Sequence, residues 1–255
     1  MSSPSGPEIL EEVRQFYGEL YPSKAPRLHS DSGDPKARLV RYFTEELTEI
    51  SLDEMEVALG QLKNDRTLGG NEITTEFLKV GGKHWLSAFH LLEYQLEQLR
   101  RMFDSVLFSG RTLKAWSRSL VVMFLKKGDK TLLKNYLPIS LLSHVYKLFS
   151  RVITNSLARR LDEFQPPEQA GFRGDYGTVD HIHTMRQIIQ KIEEYLPLCL
   201  AFVDYEKAFD SIDTWSILES LQRSQVLRNL YDAATMVVQV QNQQTEPIHL
   251  HRGVR

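Results

Sequence analysis

The chain has 255 residues, a formal net charge of −2 and one cysteine, Cys199. That length suffices for a substantial hydrophobic core, and a lone cysteine excludes an internal disulfide framework. The longest apolar run is too short to span a bilayer, and no basic start followed by an apolar run marks a secretory signal, so an intracellular setting, cytoplasm or nucleus, is expected.

The charge is unevenly spread. The first sixty residues lean acidic, through Glu8, Glu11, Glu12, Glu19, Glu45, Glu46, Glu49, Asp53, Glu54 and Glu56. Between residues 111 and 160 the cations Lys126, Lys127, Lys130, Lys134, Lys147, Arg151 and their neighbours face few acids. Such a block suits a polyanionic partner, and equally suits a solvated helical face.

In chain order, Pro7 suits the first position of a helix whose apolar face is Ile9, Leu10, Val13, Phe16, Tyr17 and Leu20. Residues 22–35, rich in Pro, Ser, Gly and Asp, read as a linker. A second helix is expected through Leu39, Val40, Phe43 and Leu47. Ser51 and Glu54 form a capping-box pattern before Leu52, Met55, Leu59 and Leu62. Leu68-Gly69-Gly70-Asn71 reads as a turn, and a long helix runs from about His84 to Val106.

Ser119 to Leu125 is a β-type run that enters a hairpin turn at Lys126-Lys127-Gly128-Asp129. Pro138 biases Leu137 towards extended backbone. Ser143 caps a helix that continues through Arg160, and Pro166-Pro167 breaks it. Gly171 to Gly177 is a glycine-rich loop, after which Thr178 caps a helix. Leu198 to Val203 reads as a buried strand with Asp204 at its tip, and Cys199 within it as an inert buried thiol. A helix is expected from about Thr214 to Gln222. Met236–Gln241 and Pro247–His251 read as a hairpin. The fold class is α+β.

Asp204 is the residue on which function turns. An unpaired buried carboxylate costs several kcal/mol or neutralises itself, unless a metal or substrate supplies countercharge. An aspartate at a strand end can hold Mg²⁺, which takes one or two carboxylates and fills its other positions with water and phosphate oxygens. It can equally end the strand by capping the next turn, and spacing alone leaves both roles open. His181-x-His183 points apart on a helix, His249-x-His251 lacks a third ligand for zinc, and the glycine-rich loop lacks the Gly-Lys-Ser/Thr ending of a P-loop.

Ala201-Phe202-Val203-Asp204-Tyr205-Glu206-Lys207-Ala208-Phe209-Asp210-Ser211-Ile212 resembles motif A of the reverse transcriptases of non-long-terminal-repeat retrotransposons, closest to the RTE clade. Lys126-Lys127-Gly128-Asp129 followed by Asn135-Tyr136-Leu137-Pro138-Ile139 resembles the finger motifs. Gln169-Ala170-Gly171-Phe172-Arg173-Gly174 with Thr178-Val179-Asp180-His181 resembles the next block, and His251-Arg252-Gly253-Val254-Arg255 the opening of motif B.

The resemblance implies the fingers and partial palm of a right-hand polymerase fold over residues 66–255, preceded by a helical region over residues 1–65. It implies RNA-directed DNA synthesis with an RNA template, a DNA primer, deoxynucleoside triphosphates and Mg²⁺. Asp204 would be the first metal ligand, joined by the backbone carbonyl of Tyr205. Phe209 would be the aromatic wall against a 2′-hydroxyl, and Lys126 and Lys127 would meet nucleotide phosphates. Arg173, Gly171, Lys134, Lys147 and Arg151 would contact nucleic acid.

The sequence departs from the family pattern in several places. Leu137 stands where the family has an arginine, and leucine cannot supply a charged fork. Gly69-Gly70-Asn71-Glu72 departs from Gly-x-Asp-Gly, and residues 221–230 are shorter than in relatives. The family's later Asp-Asp pair has no counterpart in these residues. One carboxylate cannot position two Mg²⁺ ions, so this chain alone is expected to lack polymerase activity. The alternative is a non-catalytic nucleic-acid-binding or scaffold remnant. A palm sheet lacking its central hairpin would leave an open edge, so low solubility or marginal stability is also expected.

Overall fold

A computed structural model describes residues 6–22, 49–67, 73–80, 87–166, 168–193, 199–205, 207–214, 216–217, 234–240 and 242–252. The expected helix through Leu39 to Leu47, the turn at Leu68 to Asn71 and most of the helix after Thr214 lie outside these residues. The chain divides into two compact units, residues 1–152 with 207–255, and residues 153–206.

The first unit is built on a mixed five-stranded sheet. Strand β1 (Arg118–Leu125) and β2 (Tyr136–Leu141) form the expected antiparallel hairpin, in register from Leu120 opposite Leu141 to Leu125 opposite Tyr136. Strand β3 (Thr235–Val240) lies parallel to β1 on its other edge, Arg118 opposite Thr235 and Val121 opposite Val238. On the far edge of β3, the short strands β4 (Gln243–Gln244) and β5 (Ile248–His249) run antiparallel.

Helix α1 (Gly6–Leu20) covers one face of this sheet. Its stripe is the one that the 3.6-residue period selects. Val13 and Tyr17 are buried with Tyr21, Val121, Met236, Val238 and Ile248, while Ile9, Phe16 and Leu20 close the edges of the same core. Strand alternation sends Val121 and Met123, and Met236 and Val238, to this side.

Helix α2 (Leu52–Gln61) begins with the capping box: the Ser51 hydroxyl accepts from the Glu54 N–H, and the Glu54 carboxylate accepts from the Ser51 N–H. Helix α3 (Thr75–Val80) and the long α4 (Ser87–Ser109) follow, and α2 packs on α4. Arg100 on α4 bonds Glu97 and Asp104, and the buried Asp104 accepts the Ile50 N–H at 2.9 Å. A one-turn helix α5 (Lys114–Ser117) carries the buried Trp116. Trp116, Phe103, Tyr146 and Phe149 form an aromatic cluster, with Trp116 stacked on Phe149 at 4.9 Å between ring centres.

Helix α6 (His144–Phe164) starts in the first unit, its Tyr146 N–H donating to the Ser143 hydroxyl at 3.0 Å, and runs on into the second. It ends just before Pro166, as proline requires. The second unit then holds a loop and helix α7 (Thr178–Glu193).

The reading of the run before Asp204 is corrected here. Residues 199–205 pair with none of the five strands and are solvent-exposed, and Cys199 is an exposed thiol rather than a buried one. An apolar run states a preference for burial rather than for a ladder, and these residues have no strand partner among the described ones. The run's Phe202 instead lines a groove of about 640 Å³ along α7, beside Ile182, Met185 and Ile189.

Candidate nucleic-acid interface

The β1–β2 turn is held by its own polar groups. Gly128 has φ +88, and a side chain there would meet the Asn135 amide nitrogen at 2.9 Å, so glycine answers both the backbone sign and the space. The Lys126 N–H donates to the Asn135 carbonyl at 2.9 Å, and the Asn135 amide donates to the Asp129 carbonyl at 2.9 Å. The Asp129 carboxylate accepts from the N–H and the hydroxyl of Thr131, each at 2.8 Å, and these two bonds hold its pKa below the usual value.

The consequence is electrostatic. The turn's one acid is engaged locally, while Lys126, Lys127, Lys130 and Lys134 are exposed and, among the described residues, form no ion pair. The structure thus carries four exposed lysines on one hydrogen-bonded turn. Leu137, at the position where a charged fork would stand, is half-exposed on β2 opposite Phe124.

Lys147 and Arg151 lie one helical turn apart on α6. Arg151 is exposed; Lys147 is half-buried, and burial followed by the Arg66 charge lowers its pKa.

In the second unit, Gly171 and Arg173 sit in the loop between α6 and α7. The Arg173 guanidinium donates to the Pro166 carbonyl at 3.3 Å and lies 5.2 Å from the Tyr176 ring centre. Asp204 and Tyr205 are exposed. Asp204 is solvated, so the cost of an unpaired buried carboxylate does not arise and the expectation of a countercharge drawn from burial does not hold; a hydrated Mg²⁺ can still take such a side chain as one ligand. Among the described residues, no three of His, Cys, Asp and Glu converge as a metal site, so these residues do not assemble a two-ion centre.

The segment that follows is anchored in the first unit. Lys207 has φ +50 and leads into the one-turn helix α8 (Ala208–Ser211), which leaves Phe209 exposed. The Tyr21 hydroxyl donates to the Asp210 carboxylate at 3.3 Å. Arg252 donates to the Ser211 carbonyl and pairs with the Asp213 carboxylate at 3.5 Å. The Thr214 N–H donates to the His251 carbonyl at 3.1 Å, and the His251 N–H to the Tyr21 carbonyl at 3.2 Å. Sequence reasoning missed Tyr21 and Arg252 as supports of this turn. The partners are far apart in the chain, and no local pattern announces them.

The sequence is similar to those of known proteins. The model of the family described as reverse transcriptase (RNA-dependent DNA polymerase) matches residues 125–255. An uncharacterized 149 kDa protein of transposon TX1 from Xenopus laevis is 28% identical over 97% of this chain and 19% of its own length. The RNA-directed DNA polymerase from mobile element jockey of Drosophila melanogaster is 27% identical over 65% of this chain and 18% of its own. A Pol polyprotein from the type-1 retrotransposable element R2 of Popillia japonica is 26% identical over 58% of this chain and 22% of its own. The chain spans about a fifth of the length of these relatives.

Proposed function

Because the chain belongs to the reverse transcriptase family, RNA-dependent DNA polymerases, we propose that it forms the template-gripping and first metal-binding part of such an enzyme from a non-long-terminal-repeat retrotransposon. In this reading residues 66–255 are the fingers and part of the palm of a right-hand fold, and residues 1–65 are an N-terminal helical region. Assignment to the RTE-like branch rests on the wording of residues 201–212.

The single observation that carries the reading is the β1–β2 turn, where four exposed lysines stand on a hydrogen-bonded frame with its acid already engaged. Phosphate oxygens are the natural countercharge for such a cluster. Lys126 and Lys127 meet the phosphates of the incoming nucleotide or template. Lys134, Lys147 and Arg151 in the first unit contact nucleic acid, as do Gly171 and Arg173 in the second. Asp204 and the Tyr205 carbonyl would hold Mg²⁺, whose charge would offset that developing on the triphosphate. Phe209, exposed and fixed through its neighbour Asp210, is the wall against a 2′-hydroxyl.

The test is anisotropy of a labelled RNA template–DNA primer duplex at stepped salt. Affinity should fall linearly on a logarithmic salt axis, and Lys126→Ala with Lys127→Ala should reduce that slope by about one to two. An absence of binding at low salt overturns the reading. The lone carboxylate at Asp204 favours a second reading, a nucleic-acid-binding remnant without catalysis. It predicts the same salt slope with no response to Mg²⁺ and nucleotide.

A further inference from the structure

A helix of four residues does not hold its own shape, because ordering its single turn costs more than the bonds within it return. α8 is such a helix, and the chain enters it through Lys207 at φ +50, in the left-handed region that residues with a side chain resist. Its own backbone bonds are those of the Asp210 and Ser211 N–H groups, which both donate to the Lys207 carbonyl at 2.9 Å. The turn that carries Phe209 therefore depends on restraint from outside.

α1 supplies that restraint. Lys207 and Asp210 stand three residues apart and share one side of the turn, and at about 100° per residue Phe209 is placed off that side. The Lys207 ammonium lies 5.4 Å from the centre of the Phe16 ring, and the Asp210 carboxylate accepts from the Tyr21 hydroxyl at 3.3 Å. Both grips have a firm base. Phe16 meets Tyr17 edge to face at 5.1 Å, Tyr21 stacks on Tyr17 at 6.1 Å, and Tyr17 is buried with Val121 and Val238 of the sheet. The Tyr21 carbonyl also accepts from the His251 N–H, and the next residue, Arg252, donates to the Ser211 carbonyl. Positions 207, 210 and 211 are each held from outside the turn, around a Phe209 that is 59% exposed.

We propose that α1, through Tyr21 and Phe16, is a positioning element that sets the discrimination between deoxyribonucleotides and ribonucleotides at Phe209. The proposal rests on the polymerase reading, in which that ring meets the sugar, and assigns its precision to a tyrosine 189 residues before its neighbour Asp210. A wall rejects a 2′-hydroxyl by a clash, and a clash discriminates only where the wall does not yield. Selectivity of this kind needs the group held to within about 0.5 Å. Loosening the anchor lets the ring give way to ribose, whereas deoxyribose makes no clash and binds as before. The signature is therefore a gain for one nucleotide, which general loss of structure does not produce.

The experiment uses the full 255-residue chain with a labelled RNA template–DNA primer and Mg²⁺. The matched deoxynucleoside triphosphate, and separately its ribonucleoside counterpart, is titrated in, and the concentration that half-tightens the complex is read by anisotropy. The parent should need about tenfold or more ribonucleotide. Tyr21→Phe and Phe16→Leu should each lower the ribonucleotide half-point by about threefold or more and keep the deoxynucleotide half-point within about twofold. Asp104→Ala, which loosens a different network of the same unit, should keep the parent's ratio. Phe16→Leu carries the test by itself if Tyr21→Phe melts below the assay temperature. An unchanged ratio in the α1 variants overturns the positioning role and leaves the polymerase reading in place. Equal weakening of both nucleotides, or the same change of ratio in Asp104→Ala, also overturns it, α1 then being structural support alone. A parent that takes both nucleotides alike has no wall for α1 to hold, and the role falls. A parent that responds to neither loses the polymerase reading, and the role with it.

Discussion

The Tyr21 hydroxyl, at the end of α1, reaches the Asp210 carboxylate at 3.3 Å and ties an N-terminal helix to the turn that carries Phe209, across 189 residues of chain. Tyr21 is buried, so its hydroxyl depends on this acceptor. Tyr21→Phe should cost about 1–2 kcal/mol, as should Asp210→Asn, by urea denaturation. The double variant should cost less than the sum, because both substitutions remove the same bond.

Alkaline stability follows from the same corner. Burial, then the Asp210 charge, raises the Tyr17 pKa from 10 to about 12 and moves Tyr21 in the same direction. The folded state therefore holds these protons more tightly than the unfolded chain. Their contribution is complete below pH 10 and is lost as pH rises towards about 12. Melting temperature should fall across that window, and Tyr17→Phe should shrink the fall.

The long helix α4 anchors the start of α2 through a different network. Asp104→Ala strands the Ile50 N–H and removes one of the carboxylates that Arg100 bonds, and should destabilise by about 1–3 kcal/mol. Bonds from Arg100 and Arg101 hold Glu97 at a pKa of about 2 against an ordinary 4.5. Its depressed pKa gives a contribution present above pH 4.5 and lost as pH falls towards 2. Glu97→Gln should flatten the acid limb of the stability profile in that interval.

Much of this architecture is legible in the sequence because it is local. The stripe Val13-Phe16-Tyr17-Leu20, the capping box at Ser51 and Glu54, the hairpin around Gly128 and the Ser143 cap each arise from residues within one or two turns of one another. The α+β class and the lysine turn come with them. The parallel pairing of β1 with β3 joins residues more than a hundred apart, and periodicity carries no sign of it. Nor does it reveal the anchorage of Asp210 by Tyr21 or of Asp213 by Arg252. The run before Asp204 misleads for a related reason: an apolar segment states a preference for burial, while a strand also needs a pairing partner that local pattern does not identify.

That correction has a direct chemical consequence. Cys199 is exposed, so its thiol should react with an aromatic disulfide reagent in the native state, with one equivalent released and no denaturant required. Labelling that waits for unfolding would restore the buried strand.

Asp204 is the residue whose proposed role separates a metal-using polymerase part from a passive binder. Binding of a primer–template should be measured with and without Mg²⁺ and the matched deoxynucleoside triphosphate, for the parent chain and for Asp204→Ala. The account predicts that metal and matched nucleotide together tighten the parent's complex, by roughly tenfold if one carboxylate and the phosphates share the ion, and that Asp204→Ala retains basal binding but loses the tightening. Equal tightening in both proteins would contradict a metal-holding role for this aspartate.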